Sequence, residues 1–423
     1  MRVSARISRG LFFALCARLR TGCLVVSSED GTRVFGDPDS PIRGELRVRD
    51  DSLFRDLLAR GEWGLGWGFV HGKWESVDPY RVALVLVLNE NVFRAPVRRM
   101  ARLSPHMRGV VRGQRENAKP DRATRQRTVS AAYDVGNDFF SWVLGPSMTY
   151  TCAIWPHPGA SLEEAQQNKL RIVTEKAAIE RHHRVLEIGC GWGTLAGYIR
   201  AHTGAEVKGI ALAREQVEWA HKHHPDCEFE YLDYEELTGT WDRIVSVGMA
   251  EHVGRTRWDG YLRRVSDCLA PGGRFVLETM QSYDGILMQS PSERWPSFAS
   301  VMMPNADVPS MPDIIAAALR TGTLRVLHTE THGIHYARTL KAWVDNLEAH
   351  REQIASAYSE DLYRIYRYGW SMGRAAMETG ITNVQVVFEK APYGSAYALG
   401  EPARGAVESS ASRALASRRS KVA

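Results

Sequence analysis

The 423-residue sequence has no apolar run approaching the roughly 18 residues that a membrane-spanning helix needs. The N-terminal stretch MRVSARISRGLFFALCARLRTG has the basic start and short apolar core of a secretory leader. Arg18 and Arg20 follow that core closely, however, and no small-residue cleavage site ends it. A cytoplasmic protein is expected. Cysteine is sparse: Cys16, Cys23, Cys152, Cys190, Cys227 and Cys268 are scattered, with no CxxC pair and no paired cysteine–histidine set at zinc-ligand spacing. That argues against a disulfide framework and a zinc site, and agrees with a reducing compartment; no metal is expected. There is no extreme of charge either. A net charge of +5, with 44% apolar and 24% charged residues, describes an ordinary globular chain.

What is present divides into three zones. Residues 1–125 carry short alternating runs such as GELRVRD and a glycine- and tryptophan-rich stretch, GEWGLGWGFVHGKW. Residues 126–391 alternate apolar strand-like runs with amphipathic helical ones. Residues 392–423 are small and polar, end basic, and are expected to be a disordered tail. Positive charge concentrates at the first boundary, where Arg94 to Arg127 hold eleven Lys/Arg against Glu116 and Asp121. The first twenty residues add five arginines and no acid, with Ile7, Leu11, Phe12 and Leu15 at helical spacing. Apolar insertion plus attraction to phosphate would hold such a chain on an anionic membrane at the inner surface. A solvated basic linker is the bland reading of the same run. No nucleic-acid-binding motif accompanies the charge, so nucleic acid is not expected as a partner.

In the second zone RVLEIGCGWGT (184–194) reads as strand, glycine turn, then helix. AEVKGIAL (205–212), CEFEYLD (227–233), DRIVSVGM (242–249) and RFVLETM (274–280) read as further strands, with helices at 213–224 and 257–270. Such alternation implies an α/β fold, a parallel sheet with helices on both faces, beside a smaller N-terminal α+β domain. Ligands then collect at the carboxyl ends of the strands. Glu278 stands there at the end of the run Phe275, Val276, Leu277, where a carboxylate is costly unless it is paired or used.

Gly189, Gly191 and Gly193 form GxGxG after the first strand, so backbone can approach a ligand beside a helix N-terminus. Alone, the pattern fits dinucleotide and adenosylmethionine sites alike. The dinucleotide form would place glycine at 194, where Thr194 stands. It would also end the second strand in an acid, but that strand runs into ALAREQ.

The phrases AAYDVGNDFFSWVLGPSMTYTCAIW, EAQQNKL, VLEIGCGWGTLAGY, DRIVSVGMAEHVG and HYARTLKAW follow one another in this order. They resemble the cyclopropane-fatty-acyl-phospholipid synthases and mycolic-acid methyltransferases, a family that uses S-adenosylmethionine. The resemblance covers roughly residues 125–391 and extends more loosely into GLGWGFVHGKWES. It implies a Rossmann-like methyltransferase sheet and a cofactor cradled by Gly189, Gly191 and Gly193 with Tyr150 and Thr151. It implies Tyr133 over the sulfonium, where an aromatic face attracts a cation. Leu212 and Gln216 would sit at ribose and adenine, and Asp233 and Tyr234 at the adenine edge. Ala211 and Ala213 stand where the family usually carries hydroxyls.

The implied reaction transfers a methyl group to the double bond of an unsaturated acyl chain. It leaves positive charge that a dry pocket must shield and a base must resolve, giving a cyclopropane or a methylene branch. The resemblance implies a bicarbonate base held at positions matching Cys152, Glu251, a histidine ending the fifth strand, and Tyr336. Here LETM replaces the family's LHTI, so Glu278 takes the place of the histidine. A second carboxylate beside Glu251 would repel bicarbonate. Glu278 is therefore expected to replace the ion as base, the pair pushing one proton affinity upward. A structural glutamate bonded to Tyr336 or to backbone amides is the alternative. The expected partner is an anionic membrane phospholipid, with a separate reductase if the product is a methylene branch; a homodimer is left open. Two rival functions stand beside this one: methylation of a small soluble acceptor, and a non-catalytic lipid-binding scaffold.

Overall fold

A computed structural model describes residues 5–93, 135–283, 298–303 and 308–392. Tyr133, the basic run 94–127, much of the segment after the fifth strand of the second zone and the tail lie outside the described residues.

The N-terminal zone holds a small sheet of β1 (Cys23–Ser28), β2 (Gly31–Gly36), β3 (Arg43–Val48) and β4 (Trp74–Glu75), in the order β2-β1-β3-β4. The glycine-rich stretch becomes a helix, Glu62–Val70. Glycine interrupts a helix at a cost of roughly 1 kcal/mol per residue; here close packing demands it. A Cβ on Gly64 would fall 2.2 Å from the Asp56 carbonyl oxygen, and one on Gly66 would fall 2.2 Å from the Phe298 ring. Helix Ala5–Cys16 forms as its spacing suggests, but the face differs. Phe12 is buried, its ring 5.5 Å from Phe54 and 6.4 Å from Phe93, while Ile7 and Leu11 stay exposed. The neighbouring aromatic core captured the largest side chain of the stripe expected to face a membrane. No helix among the described residues is long and apolar enough to cross a membrane.

The second zone is built on a seven-stranded sheet. Its parallel part comprises β5 (Arg184–Ile188), β6 (Glu206–Ala211), β7 (Glu228–Tyr231), β8 (Trp241–Val247) and β9 (Leu269–Ser282). Two strands that alternation in the sequence did not single out, β10 (Leu324–Thr331) and β11 (Ile381–Lys390), extend it antiparallel. The order is β10-β11-β9-β8-β5-β6-β7. Successive residues point to opposite faces. Leu186, Ile244, Phe275, Leu277 and Val386 meet helices Trp258–Cys268 and Met311–Leu319. Val185, Val245, Val276 and Val387 meet helices Leu162–Ala177, Thr194–Thr203 and Arg214–His223. Helix Leu162–Ala177 starts at a capping box in which Ser161 and Glu164 satisfy each other's backbone N–H groups.

Outside this sandwich, helices Asn137–Leu144, Gly333–Ala349 and Glu360–Thr379 bury a third, aromatic-rich cluster including Phe139, Phe140, Trp343, Tyr366 and Trp370. Helix Glu360–Thr379 also carries Tyr368 into the N-terminal core, where Phe298 packs against it.

Candidate active site

The carboxyl ends of β5, β6 and β7 open into a cleft of about 1190 Å3, its open mouth included. Tyr150, Thr151, Gly189, Gly191, Leu212, Gln216, Asp233 and Tyr234 line it, as do Ala211 and Ala213. Gly189 and Gly191 both adopt positive φ, +80° and +52°. A Cβ on Gly191 would meet nothing within 4 Å, so the turn presents bare backbone to the cleft. Gly193 is different. It caps helix Thr194–Thr203 and backs onto Phe229, 2.7 Å from where its Cβ would stand, and it is not among the lining residues. Asp233 ends β7's run and is buried, one oxygen accepting the Glu235 N–H at 3.0 Å. A backbone cradle, a buried acid at the far end and the buried amide of Gln216 between them suit a nucleoside bearing an amino-acid tail, so the residues present fit S-adenosylmethionine.

Behind the cleft lies a second group of side chains, Cys152, Glu251 and Glu278, all buried, and Tyr336, half-buried. The four residues expected to carry chemistry are brought together, although they come from four separate elements. β8 ends at Val247, paired with Glu278, and the Gly248 N–H donates to the Glu278 carbonyl at 3.0 Å. The parallel ladder thus stops at the carboxylate while β9 runs on beside β11. Glu278 shares a face with Val276, which packs in the apolar layer under helix Leu162–Ala177.

Burial raises the proton affinity of Glu278, and the Lys169 charge and donors on Gln385 and Asn383 oppose that rise. Its Oε2 accepts from Gln385 Nε2 at 2.6 Å, while its Oε1 is buried without a hydrogen-bond partner. Glu251 accepts the Met280 N–H on Oε1 at 2.7 Å, and its Oε2 is likewise unpartnered. Burial pushes Glu251 up to about 7, helped by the Glu278 charge and opposed by the Met280 N–H. Burial also lifts the Tyr336 hydroxyl and the Cys152 thiol well above their usual ranges, with carboxylate charge adding to the rise. A thiol so raised is no nucleophile.

Sequence reasoning missed three members of this group. Lys169, fully buried, donates to Thr151 Oγ1 at 2.8 Å and borders both the cleft and Glu278. Burial lowers its proton affinity, and Glu278 and Glu187 restore part of it. Glu187, on the other side of Lys169, is pushed up to about 8 by burial. Gln385 is the third. A signal existed for it, since Asn383 and Gln385 are polar at period two in the apolar run of NVQVVF.

Aromatic rings pack beside this group. Tyr150 lies 5.5 Å from Phe140 and 5.0 Å from Trp343, and its hydroxyl accepts from Trp370 Nε1 at 3.2 Å. Tyr336 meets Trp343 edge-on at 6.1 Å. Met280, Met302 and Val308 close the same cluster. The aromatic residues of the run DLYRIYRYGW are core, and its Trp370 reaches the Tyr150 hydroxyl. Such rings present negative faces to a developing cation.

A family model described as mycolic acid cyclopropane synthetase matches residues 120–387. The chain is 33% identical over 330 residues to a cyclopropane-fatty-acyl-phospholipid synthase of Escherichia coli, covering 77% of this chain and 82% of that one. It is 29% identical over 389 residues to a Mycobacterium tuberculosis chain described as a probable fatty acid methyltransferase, covering 84% and 88%. Among solved structures, the mycolic acid cyclopropane synthase CmaA1 complexed with SAH and CTAB superposes with a TM-score of 0.59. It is 26% identical and covers 63% of this chain and 98% of that one.

Proposed function

The chain belongs to the mycolic acid cyclopropane synthetase family, and from that premise we propose that it methylates the double bond of unsaturated acyl chains in membrane phospholipids, with Glu278 as the base. It is an S-adenosylmethionine-dependent C-methyltransferase. The observation that carries the finer reading is the buried carboxylate Glu278, with one oxygen bonded and the other unpartnered, beside an aromatic-rich cluster that reaches the cofactor cleft at Tyr150 and Trp192.

Bound S-adenosylmethionine supplies an electrophilic methyl group. The remaining work belongs to the chain. Met280, Met302 and the rings of Tyr150, Trp343 and Trp370 exclude water, which would otherwise quench a carbocation. Tyr150 and Tyr336 turn electron-rich rings toward positive charge on the acyl chain. Lys169 and Lys176 place positive charge near Glu278, whereas Glu251 is held by neutral donors, backbone N–H groups and Thr279, so we take Glu278 as the acid that accepts the proton on Oε1. Proton loss from the new methyl carbon closes a ring. Loss elsewhere leaves a methylene branch that a separate reductase would saturate. Because Glu278 supplies the negative charge, turnover needs no bicarbonate.

The test is mass spectrometry of unsaturated phospholipid vesicles incubated with the purified protein and labelled methyl donor, with and without bicarbonate. A mass gain on the acyl chain, unchanged by bicarbonate, is expected. Labelling only of soluble acceptors, or strict dependence on bicarbonate, overturns the reading.

A further inference from the structure

Glu330 of β10, Gln385 of β11 and Glu278 of β9 are successive partners in one cross-strand row. Their side chains therefore leave the sheet on the same face, which helix Leu162–Ala177 covers. That helix lays Lys169 and Lys176, about two turns apart, over the row. Lys176 Nζ donates to Glu330 Oε2 at 2.5 Å and to Gln385 Oε1 at 2.6 Å. An ammonium can only donate, so the amide oxygen of Gln385 must face it. The NH2 group is then turned the other way, onto Glu278 Oε2 at 2.6 Å. Gln385 has no exposed surface, so the amide has no water to turn toward.

We propose that Gln385, oriented by Lys176, is a positioning residue for the methyl transfer: it locks one oxygen of Glu278 and leaves Oε1 as the atom that takes the substrate's proton. This rests on the reading of Glu278 as the base. A hydrogen bond to the charged form of a buried acid favours that form, and the bond is strengthened when its donor is polarised by a cation. The groups facing Glu278 are Lys169 and Lys176 from the covering helix, Glu251 from the turn after β8, Cys152, Tyr336, and Gln385 and Asn383 from β11. His332 flanks Gln385 and Glu330. Burial pushes His332 down to about 4, which leaves it neutral. The two lysines are thus the cations available to keep the base ionised, and Lys176 acts on it through the amide.

The experiment compares pH profiles of methyl transfer for the wild type, Gln385→Leu and Lys176→Met, with affinity for S-adenosylhomocysteine measured by calorimetry. Losing a donor to the carboxylate raises its proton affinity, so the acid limb of turnover should move up by about one pH unit. Rates then fall about tenfold on the acid side and recover in alkali, while cofactor affinity holds. Lys176→Arg, which can still only donate, should keep the wild-type limb. Should Gln385→Leu fail to fold, Gln385→Asn keeps the polarity of the strand and should shift the limb the same way. Unmoved limbs in folded, cofactor-binding variants overturn the positioning role and leave the base intact. If instead Glu278→Gln keeps its turnover, the base assignment itself falls and the positioning role with it.

Discussion

The cofactor cleft and the acid cluster behind it meet at Tyr150, Thr151 and Lys169, yet they are built on opposite plans. The cleft is backbone and short side chains at the ends of parallel strands, open to solvent and carried by one contiguous turn. The acid cluster is side chains from distant parts of the chain, packed in the interior, with two carboxylates each holding an unpartnered oxygen. An open cradle can bind a ligand with modest reorganisation. A packed interior can keep acids at proton affinities that water would erase. The difference separates binding from chemistry, and substitutions should respect it.

The largest effect is expected at Glu278. Glu278→Gln keeps the shape and removes the base, so turnover should fall about 1000-fold, within the range for general bases. Affinity for S-adenosylhomocysteine should stay within about twofold of wild type, since Glu278 does not line the cleft. A parallel loss of affinity would dissolve the distinction between the two regions.

Gly191→Leu should give the reverse pattern. No atom lies within 4 Å of its Cβ, so the side chain fits the fold but enters the cleft. Affinity for the cofactor should fall at least about tenfold, roughly 1.4 kcal/mol. The left-handed backbone conformation should add roughly 1–2 kcal/mol of destabilisation, seen as a lower melting temperature.

Glu251→Gln sharpens the comparison between the two acids. Burial and the Glu278 charge raise Glu251 to about 7, so Glu251 is already neutral where Glu278 takes up its proton. Gln copies that neutral form, so the acid limb of the pH profile should stay within about 0.3 unit of wild type. Lys176→Met, by contrast, should move the limb up.

The smallest loss of rate is expected at Trp370→Phe. It keeps a ring in the wall but loses the bond to the Tyr150 hydroxyl, worth roughly 0.5–1.5 kcal/mol. Turnover should fall about threefold, with cofactor affinity unchanged.

The two regions also differed in how far they could be read in advance. The glycine turn, β5 to β9 and the helices between them followed from apolar alternation, because a doubly wound sheet repeats one local pattern. β11 did not. Its run ITNVQVVFEK follows helix Glu360–Thr379 directly, and Thr382, Asn383 and Gln385 break the apolar signal. Of these, Asn383 and Gln385 face Glu278, so part of what hid the strand is what surrounds the buried acid. Gly193 erred in the other direction. Its place in the motif suggested a ligand contact, but it serves close packing against Phe229. Phe12 shows the same limit at the N-terminus, where helical spacing gave the stripe but not the neighbour that would bury it.

By itself the sequence determined the layered α/β sheet, the bare-backbone turn after β5, and the presence of a carboxylate where the parallel run stops. Each depends on residues close together along the chain. Only tertiary structure decided how Glu278 is held, because its partner Gln385 lies 107 positions away and the lysine bonded to that amide sits on helix Leu162–Ala177, far from both strands in the chain. Protonation in a buried site follows from which groups exclude water and which donate to the charge, and that is settled by packing rather than by order along the chain.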